Sequence, residues 1–222
     1  MTLQLYDHLL RFQLFQGLSR GELQQMAGTT KFGFRKEHSG VTVLRQGDKC
    51  QELLFLISGT LQLTTRSDDG SYRLVEQLAA PWLLQPEVLF GAAPRYGCTC
   101  VTSSACHFIT LQKDEVLRLS THFLIIRLNL LNMLSTIAQK RGRQPWRQPA
   151  ATLSQRFVRF VIDHAVYPAG SKTLHILMTR LADCLCDSRL NVSRMLNRLQ
   201  DDGQVELHRG RIIIPSLEKI VT

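Results

Sequence analysis

The stretch Met178–Leu199, MTRLADCLCDSRLNVSRMLNRL, has the pattern of two short helices joined by a turn. The first helix has three apolar residues for packing on a neighbour: Leu181, Ala182 and Leu185. The second carries an i, i+3, i+4, i+7 apolar stripe: Val192, Met195, Leu196 and Leu199. In the turn, Asp187 or Ser188 can cap the second helix through a side-chain oxygen. The stretch predicts a helix-turn-helix, although a plain two-helix packing unit has the same periodicity.

The side of the second helix opposite the stripe predicts a DNA-reading surface. Helical geometry turns three residues outward: Leu190, Arg194 and Asn197. The residues that flank them are Arg189, Ser193 and Arg198, with Asn191 nearby in the first turn. Arginine can bond guanine with two hydrogen bonds, and a helix N-terminus attracts phosphate. These residues suit a helix that enters the major groove.

The residues after the second helix predict a wing. Gly203 can end the helix in the left-handed conformation. Residues 205–208 and 211–214 then form two short strands joined by a tight basic turn. A hairpin in this place is typical of a winged helix, and we expect Arg209 and Arg211 to reach DNA phosphates.

Composition and charge limit the function classes. The 222 residues carry a net charge of +9, and residues 140–159 hold six basic residues and no acid, as expected beside a DNA-binding domain. The sequence has no apolar run of the roughly 20 residues that cross a membrane, and no secretory signal pattern. We expect a cytoplasmic protein with no membrane partner and reduced cysteines. We find no nucleotide-binding loop, nucleophile elbow or metal-ligand spacing, so an enzyme is not expected.

The first half predicts a β-rich domain. Residues 1 to about 28 are helical in pattern, and Ser19 and Glu22 have the spacing of a capping box. Residues 32–111 show many short strands broken by turns, such as the hairpin turn at Asp68-Asp69-Gly70. This pattern favours a sandwich or a jelly-roll barrel.

A long helix is predicted from Lys113 to about Arg141. It carries a heptad seam that we expect to pair two copies of the chain: Val116, Leu119, Phe123, Ile126, Leu130, Met133 and Ile137. A second apolar face suits packing on the barrel: Leu117, Leu124, Leu128, Leu131 and Leu134. A single long core helix is the alternative. The predicted domains are residues 1–112 (effector-sensing barrel), 113–142 (dimerisation helix), 143–151 (hinge) and 152–222 (winged helix).

In this order the parts resemble the bacterial CRP/FNR superfamily of transcription regulators. The matching strings are Leu14-Phe-Gln-Gly-Leu-Ser19, Gln46-Gly-Asp48, Leu56-Ile-Ser-Gly59 with Asp69-Gly70, and Ser188-Arg-Leu-Asn-Val-Ser-Arg194. The resemblance implies an α+β fold with an N-terminal double-stranded β-helix (jelly-roll) barrel of the cyclic nucleotide-binding kind, a dimerisation helix and a C-terminal winged helix-turn-helix. It implies that Arg189 and Arg194 read bases, and that Ser188 contacts a phosphate.

Departures from the family pattern concern the effector pocket and the turn. The pocket residues would be Glu87 and the segment Arg95-Tyr96-Gly97, which lacks the Arg-Ser/Thr pair that holds the cyclic phosphate, so cyclic AMP is not expected. No cysteine precedes Cys50, so the iron-sulfur ligand set is absent. Leu190 stands where the family often has Glu, which predicts a different half-site. Cys186 stands in place of a glycine, so we expect a distorted turn.

We therefore expect a homodimer that binds double-stranded DNA at a roughly palindromic operator. RNA polymerase and a small-molecule effector, or a thiol change, are further partners that such a regulator implies. The alternative is a sensor or interaction module whose C-terminal helices bind protein. Structural cysteines are the alternative to a thiol sensor.

Overall fold

The computed structural model describes residues 2–220 and the side chains of all of these except residues 2–4 and Pro145. The outermost ends of the predicted domains, residue 1 and residues 221–222, lie outside the described residues. The helices are α1 (Thr2–Leu9), α2 (Arg20–Thr29), α3 (Lys113–His122), α4 (Leu124–Gly142), α5 (Leu153–His164), α6 (Met178–Leu185) and α7 (Arg189–Asp201). The strands are β1 (Gly33–Glu37), β2 (Thr42–Leu44), β3 (Glu52–Ser58), β4 (Thr60–Arg66), β5 (Tyr72–Ala79), β6 (Trp82–Leu84), β7 (Thr99–Thr102), β8 (Cys106–Gln112), β9 (Lys172–Ile176), β10 (Glu206–His208) and β11 (Arg211–Ile214). The predicted α+β class is confirmed.

The chain divides into two compact units. The first comprises residues 1–61, 78–97 and 101–145, and the second comprises residues 62–77, 98–100 and 146–222. The division after residue 145 falls inside the predicted hinge. Residues 62–77 group with the C-terminal part of the chain.

The first unit contains an antiparallel sheet in the order β1-β8-β3-β6. Leu53 to Leu56 on β3 are all buried, as a continuous apolar run in a strand predicts. Phe12 and Phe15 pack on Phe55, with ring centroids 5.0 and 5.5 Å away. The capping box of Ser19 and Glu22 opens α2 as predicted.

The predicted long helix is two helices, and that prediction is wrong. Phe123 leaves the helical conformation (φ −117°, ψ 105°), and α3 and α4 meet at a bend of 119°. The break lets both segments bury apolar side chains in one compact unit. The residues buried on α3 and α4 are Val116, Leu119, Ile126 and Leu130, and Phe123 at the bend is buried with them.

The second unit packs α5, α6 and α7 on one face of a sheet in which strands β10, β11, β9 and β5 lie side by side. The sequence does not predict that β5 pairs with β9. The pairing is antiparallel, from Tyr72 opposite Ile176 to Glu76 opposite Lys172. Leu74 of β5 belongs to the core of this unit together with residues of all three helices.

Candidate nucleic-acid interface

The helix-turn-helix consists of α6 and α7, and its apolar residues are buried as predicted. Leu181, Ala182 and Leu185 on α6 are at most 4% exposed. The stripe on α7 is buried as well: Val192, Met195, Leu196 and Leu199. Burial of the stripe fixes which side of α7 faces solvent.

The turn between the helices is held by side chains. Ser188 is the N-cap of α7, and its Oγ accepts a hydrogen bond from the Asn191 amide at 3.1 Å. Asp187 Oδ1 accepts hydrogen bonds from the Ser188 amide and from Asn191 Nδ2. These hydrogen bonds, with the nearby Arg156, lower the pKa of Asp187. Asp187 therefore remains a carboxylate that orders the turn.

Arg156 on α5 connects the turn to the rest of the unit. Its guanidinium forms an ion pair with Asp187 and donates hydrogen bonds to the carbonyl oxygens of Leu185 and Cys186. In the sequence, Arg156 is only one of the six basic residues of segment 140–159. Its role depends on a contact between residues about thirty positions apart, which local periodicity does not show.

Cys186 adopts the left-handed conformation, with φ 50° and ψ 51°. The turn thus keeps the geometry that a glycine would adopt, and the expected distortion is not seen at this residue. A residue with a Cβ pays a steric cost in that conformation.

The outward side of α7 carries the predicted reading residues. Those that are exposed are Ser188, Arg189, Leu190, Asn191, Arg194, Asn197 and Arg198, while Ser193 is half-buried. The first turn of the helix contains no acidic residue. Its N-terminal end therefore combines guanidinium groups with the positive end of the helix dipole, which suits a polyanion.

A groove beside α7 extends this surface. It has a volume of about 540 Å³ and lies between the start of α5 and α7. Arg194 and Arg198 line it together with Thr152, the N-cap of α5. The groove gives these two arginines open space on the side of α7 that faces α5.

The wing is present where the sequence predicts it. Gly203 ends α7 with φ 70°, and β10 and β11 form an antiparallel hairpin through the turn at Arg209-Gly210. Arg209 and Arg211 are exposed. The reading helix and the basic wing therefore belong to one compact unit.

Each of the predicted effector residues contacts another group of the first unit. Glu87 forms an ion pair with Arg141 of α4 at 3.1 Å. Arg95 donates a hydrogen bond to the Gly47 carbonyl oxygen at 2.8 Å.

The other two effector residues are also held by the chain itself. The Tyr96 hydroxyl donates to the Glu52 carbonyl oxygen. The Gly97 amide donates to Gln85 Oε1 at 2.9 Å, and Gln85 itself is left-handed. Side chains and backbone carbonyl oxygens of the first unit thus hold the groups that would bind a cyclic nucleotide.

The cysteines are free thiols. The Sγ atoms of Cys98 and Cys100 lie 3.7 Å apart and are buried. The hydrogen bond with Cys98 and burial raise the pKa of Cys100. Among residues 2–220, no group of three or more His, Cys, Asp or Glu side chains could hold a metal ion.

The two apolar faces of α3 and α4 differ in burial. Five residues of the predicted seam are buried in their own unit, whereas Met133 and Ile137 are half-buried. The exposed leucines belong to the other face: Leu117, Leu124, Leu128 and Leu131. The heptad spacing locates both apolar stripes, but it does not show which stripe is buried within the chain's own unit.

No helix among the described residues is by itself long and apolar enough to span a membrane. Helices α3 and α4 reach that length and composition only as a pair, across their 119° bend.

A strand-rich domain followed by a winged helix-turn-helix defines a two-part transcription regulator. Residues 35–122 match the family model of the cyclic nucleotide-binding domain, and residues 155–221 match that of the Crp-like helix-turn-helix domain. The chain belongs to the CRP/FNR superfamily of transcription regulators.

Solved structures share the fold. The catabolite activator protein of Thermus thermophilus is 20% identical, with a TM-score of 0.51, over 95% of this chain and 98% of that one. The sensor domain of the transcriptional regulator DNR from Pseudomonas aeruginosa is 20% identical, with a TM-score of 0.54, over 68% of this chain and 97% of that one. No curated protein shows detectable similarity to this sequence.

The conformation of Cys186 gives a stability prediction. Cys186→Gly removes the Cβ from a left-handed residue, so we expect the free energy of unfolding to rise by about 1 kcal/mol. Urea unfolding measures the change, and Cys186→Ala, which keeps a Cβ, is the matched control. An equal gain in both variants would show that the thiol, and not the backbone conformation, carries the cost.

Proposed function

We propose that the protein is a homodimeric, sequence-specific regulator that binds double-stranded DNA at a roughly palindromic operator. The observation that carries the proposal is the pair Arg189 and Arg194, exposed on the first turns of a helix whose other side is buried. Two guanidinium groups at this end of a recognition helix suit guanine edges in the major groove. Such a protein acts in the cytoplasm, and we propose no enzymatic activity for it.

The remaining residues of α7 and the wing would divide two tasks. Leu190 is 59% exposed, and its side chain offers only an apolar contact, which suits a thymine methyl group. Asn191, Ser193, Asn197 and Arg198 complete the reading surface. Ser188 at the helix start, with Arg209 and Arg211 on the wing, would contact phosphates and so position the domain.

The sensing domain, we propose, does not bind cyclic AMP. Glu87 is occupied by Arg141, and Arg95 is directed at a backbone carbonyl oxygen. A cyclic phosphate placed beside these residues would lack the guanidinium group and the neighbouring hydroxyl group that bind it in the family. If an effector or a thiol change acts on this protein, it would do so by shifting the population of dimer states. RNA polymerase would be the partner of the DNA-bound dimer.

The dimer would form through the exposed leucines of α4. Leu124, Leu128 and Leu131 are 57, 45 and 54% exposed, and their spacing of four and three residues places them on one stripe. Complete burial of one leucine contributes about 1.5–3 kcal/mol, so two copies of this stripe offer a substantial driving force. A self-complementary contact of this kind is typical of a two-fold dimer.

Loss of both arginines should abolish sequence recognition. The operator is first selected from a random-sequence duplex library with the full-length protein. Each bidentate contact contributes about 1–3 kcal/mol of discrimination, and the dimer loses four of them. Arg189→Ala with Arg194→Ala should therefore weaken binding to the selected duplex by at least about 10³-fold. Fluorescence anisotropy measures this, with exposed Arg20→Ala on α2 as the control. A double variant that keeps the sequence preference would contradict the proposal and favour a protein-binding role.

Charges on the leucine stripe should dissociate the dimer. In Leu124→Glu/Leu128→Glu, association would bury carboxylates without partners, so we expect a monomer at micromolar concentration. Sedimentation velocity measures the oligomeric state. Phe34→Glu is the control, because Phe34 is a 62% exposed apolar residue on β1. A double variant that sediments as a dimer would rule out this stripe as the interface.

A further inference from the structure

The hairpin of β4 and β5 adds a strand to the sheet of the winged-helix unit. Strand β5 lies next to β9, and β9 lies next to β11. Within this register Arg73 stands directly opposite His175, and His175 stands directly opposite Arg211 on its other side. The position of Arg73 is therefore fixed relative to the wing.

Contacts with charged groups hold β5 in place. Glu76 and Lys172 form an ion pair at 3.4 Å, and both side chains are at most 1% exposed. Glu76 also accepts hydrogen bonds from the amides of Val166 and Tyr167. Because a buried carboxylate needs these partners, β5 is anchored to the unit at this end. At the hairpin turn, Arg180 of α6 forms an ion pair with Asp69 at 2.9 Å.

One face of this sheet carries a row of basic side chains. Alternate residues of each strand face the helical core, which buries Leu74, Leu174 and Ile212. The residues between them point to the other face. Directly opposite one another on β5, β9, β11 and β10 lie four residues, which we call the basic row: Arg73, His175, Arg211 and His208.

The basic row contains no carboxylate. Arg73 and Arg211 form no ion pair with any residue of the described range 2–220. The pKa of His175 is lowered mainly by burial, and the positive charges of Arg73 and Arg211 lower it further. Both guanidinium groups thus act on the imidazole between them. The nearest acid along the wing is Glu206, whose carboxylate lies 3.9 Å from His208.

We propose that the basic row binds the phosphate backbone of DNA that flanks the site read by α7, with Arg73 as a contact supplied by the hairpin. This inference rests on the proposed function and extends the DNA surface to a fourth strand. The row spans three strand spacings, roughly 14 Å in total. It continues directly from the wing turn, since Arg209 lies between His208 and Arg211. This continuity favours DNA over an acidic protein as the partner.

The salt dependence of binding tests this inference. The full-length protein is titrated with two duplexes that carry the selected operator, one ending at the edges of the operator and one with 15-base-pair arms. On the long duplex, Arg73→Gln should lower the magnitude of the slope of log Kobs against log salt by about 0.9 for each protomer, since one phosphate contact is lost. On the short duplex, the slope should not change.

Two control variants test whether the change in slope comes from the lost charge of Arg73. Arg73→Lys keeps the charge and should keep the wild-type slope on the long duplex. Lys219→Gln removes an exposed positive charge outside the basic row and should also leave the slope unchanged. Thermal unfolding of Arg73→Gln checks that the hairpin remains folded.

The outcomes separate this inference from the proposed function. If the wild-type protein selects no operator, the proposed function fails first. If it binds an operator but Arg73→Gln gives the same slope as wild type on both duplexes, only the role of the basic row is overturned. An equal loss on both duplexes would also overturn it, because Arg73 would then act within the operator.

Discussion

The ion pair of Arg156 with Asp187 ties α5 to the turn that precedes the reading helix. Asp187 holds the start of α7 through Ser188 and Asn191, and Arg156 holds the end of α6 through two carbonyl oxygens. A single guanidinium thereby ties α5 to both sides of the turn. If the arginines of α7 read base edges as proposed, they must be held within a fraction of an ångström, and a loose turn would weaken recognition even if both helices stayed folded.

The two compact units differ in the surfaces that they offer to partners. The predicted effector residues are held by groups of their own unit, as in the pair of Glu87 with Arg141. The hairpin of β4 and β5, in contrast, belongs to the winged-helix unit through a buried ion pair and a shared sheet. We infer that this hairpin serves DNA binding directly, whereas the exposed stripe of α4 serves pairing of two copies.

Local patterns in the sequence predict the reading end of the molecule well. The stripe of α7, its serine cap and the wing depend on residues at most a few positions apart, and periodicity and capping rules describe such contacts. The break at Phe123 and the choice of the covered face on α3 and α4 depend on what the rest of the unit offers for packing. The pairing of β5 with β9 joins residues about a hundred positions apart, and the hydrophobic pattern of either strand does not specify its partner.

The most direct test of this account is a hydroxyl-radical footprint of the full-length protein on the selected operator. A two-fold dimer with one recognition helix in each half-site predicts two equally protected regions, related by symmetry and about one helical turn of 10 base pairs apart. A single asymmetric protected region, or protection that does not depend on sequence, would contradict the assignment of α7 as the reading helix of a dimer.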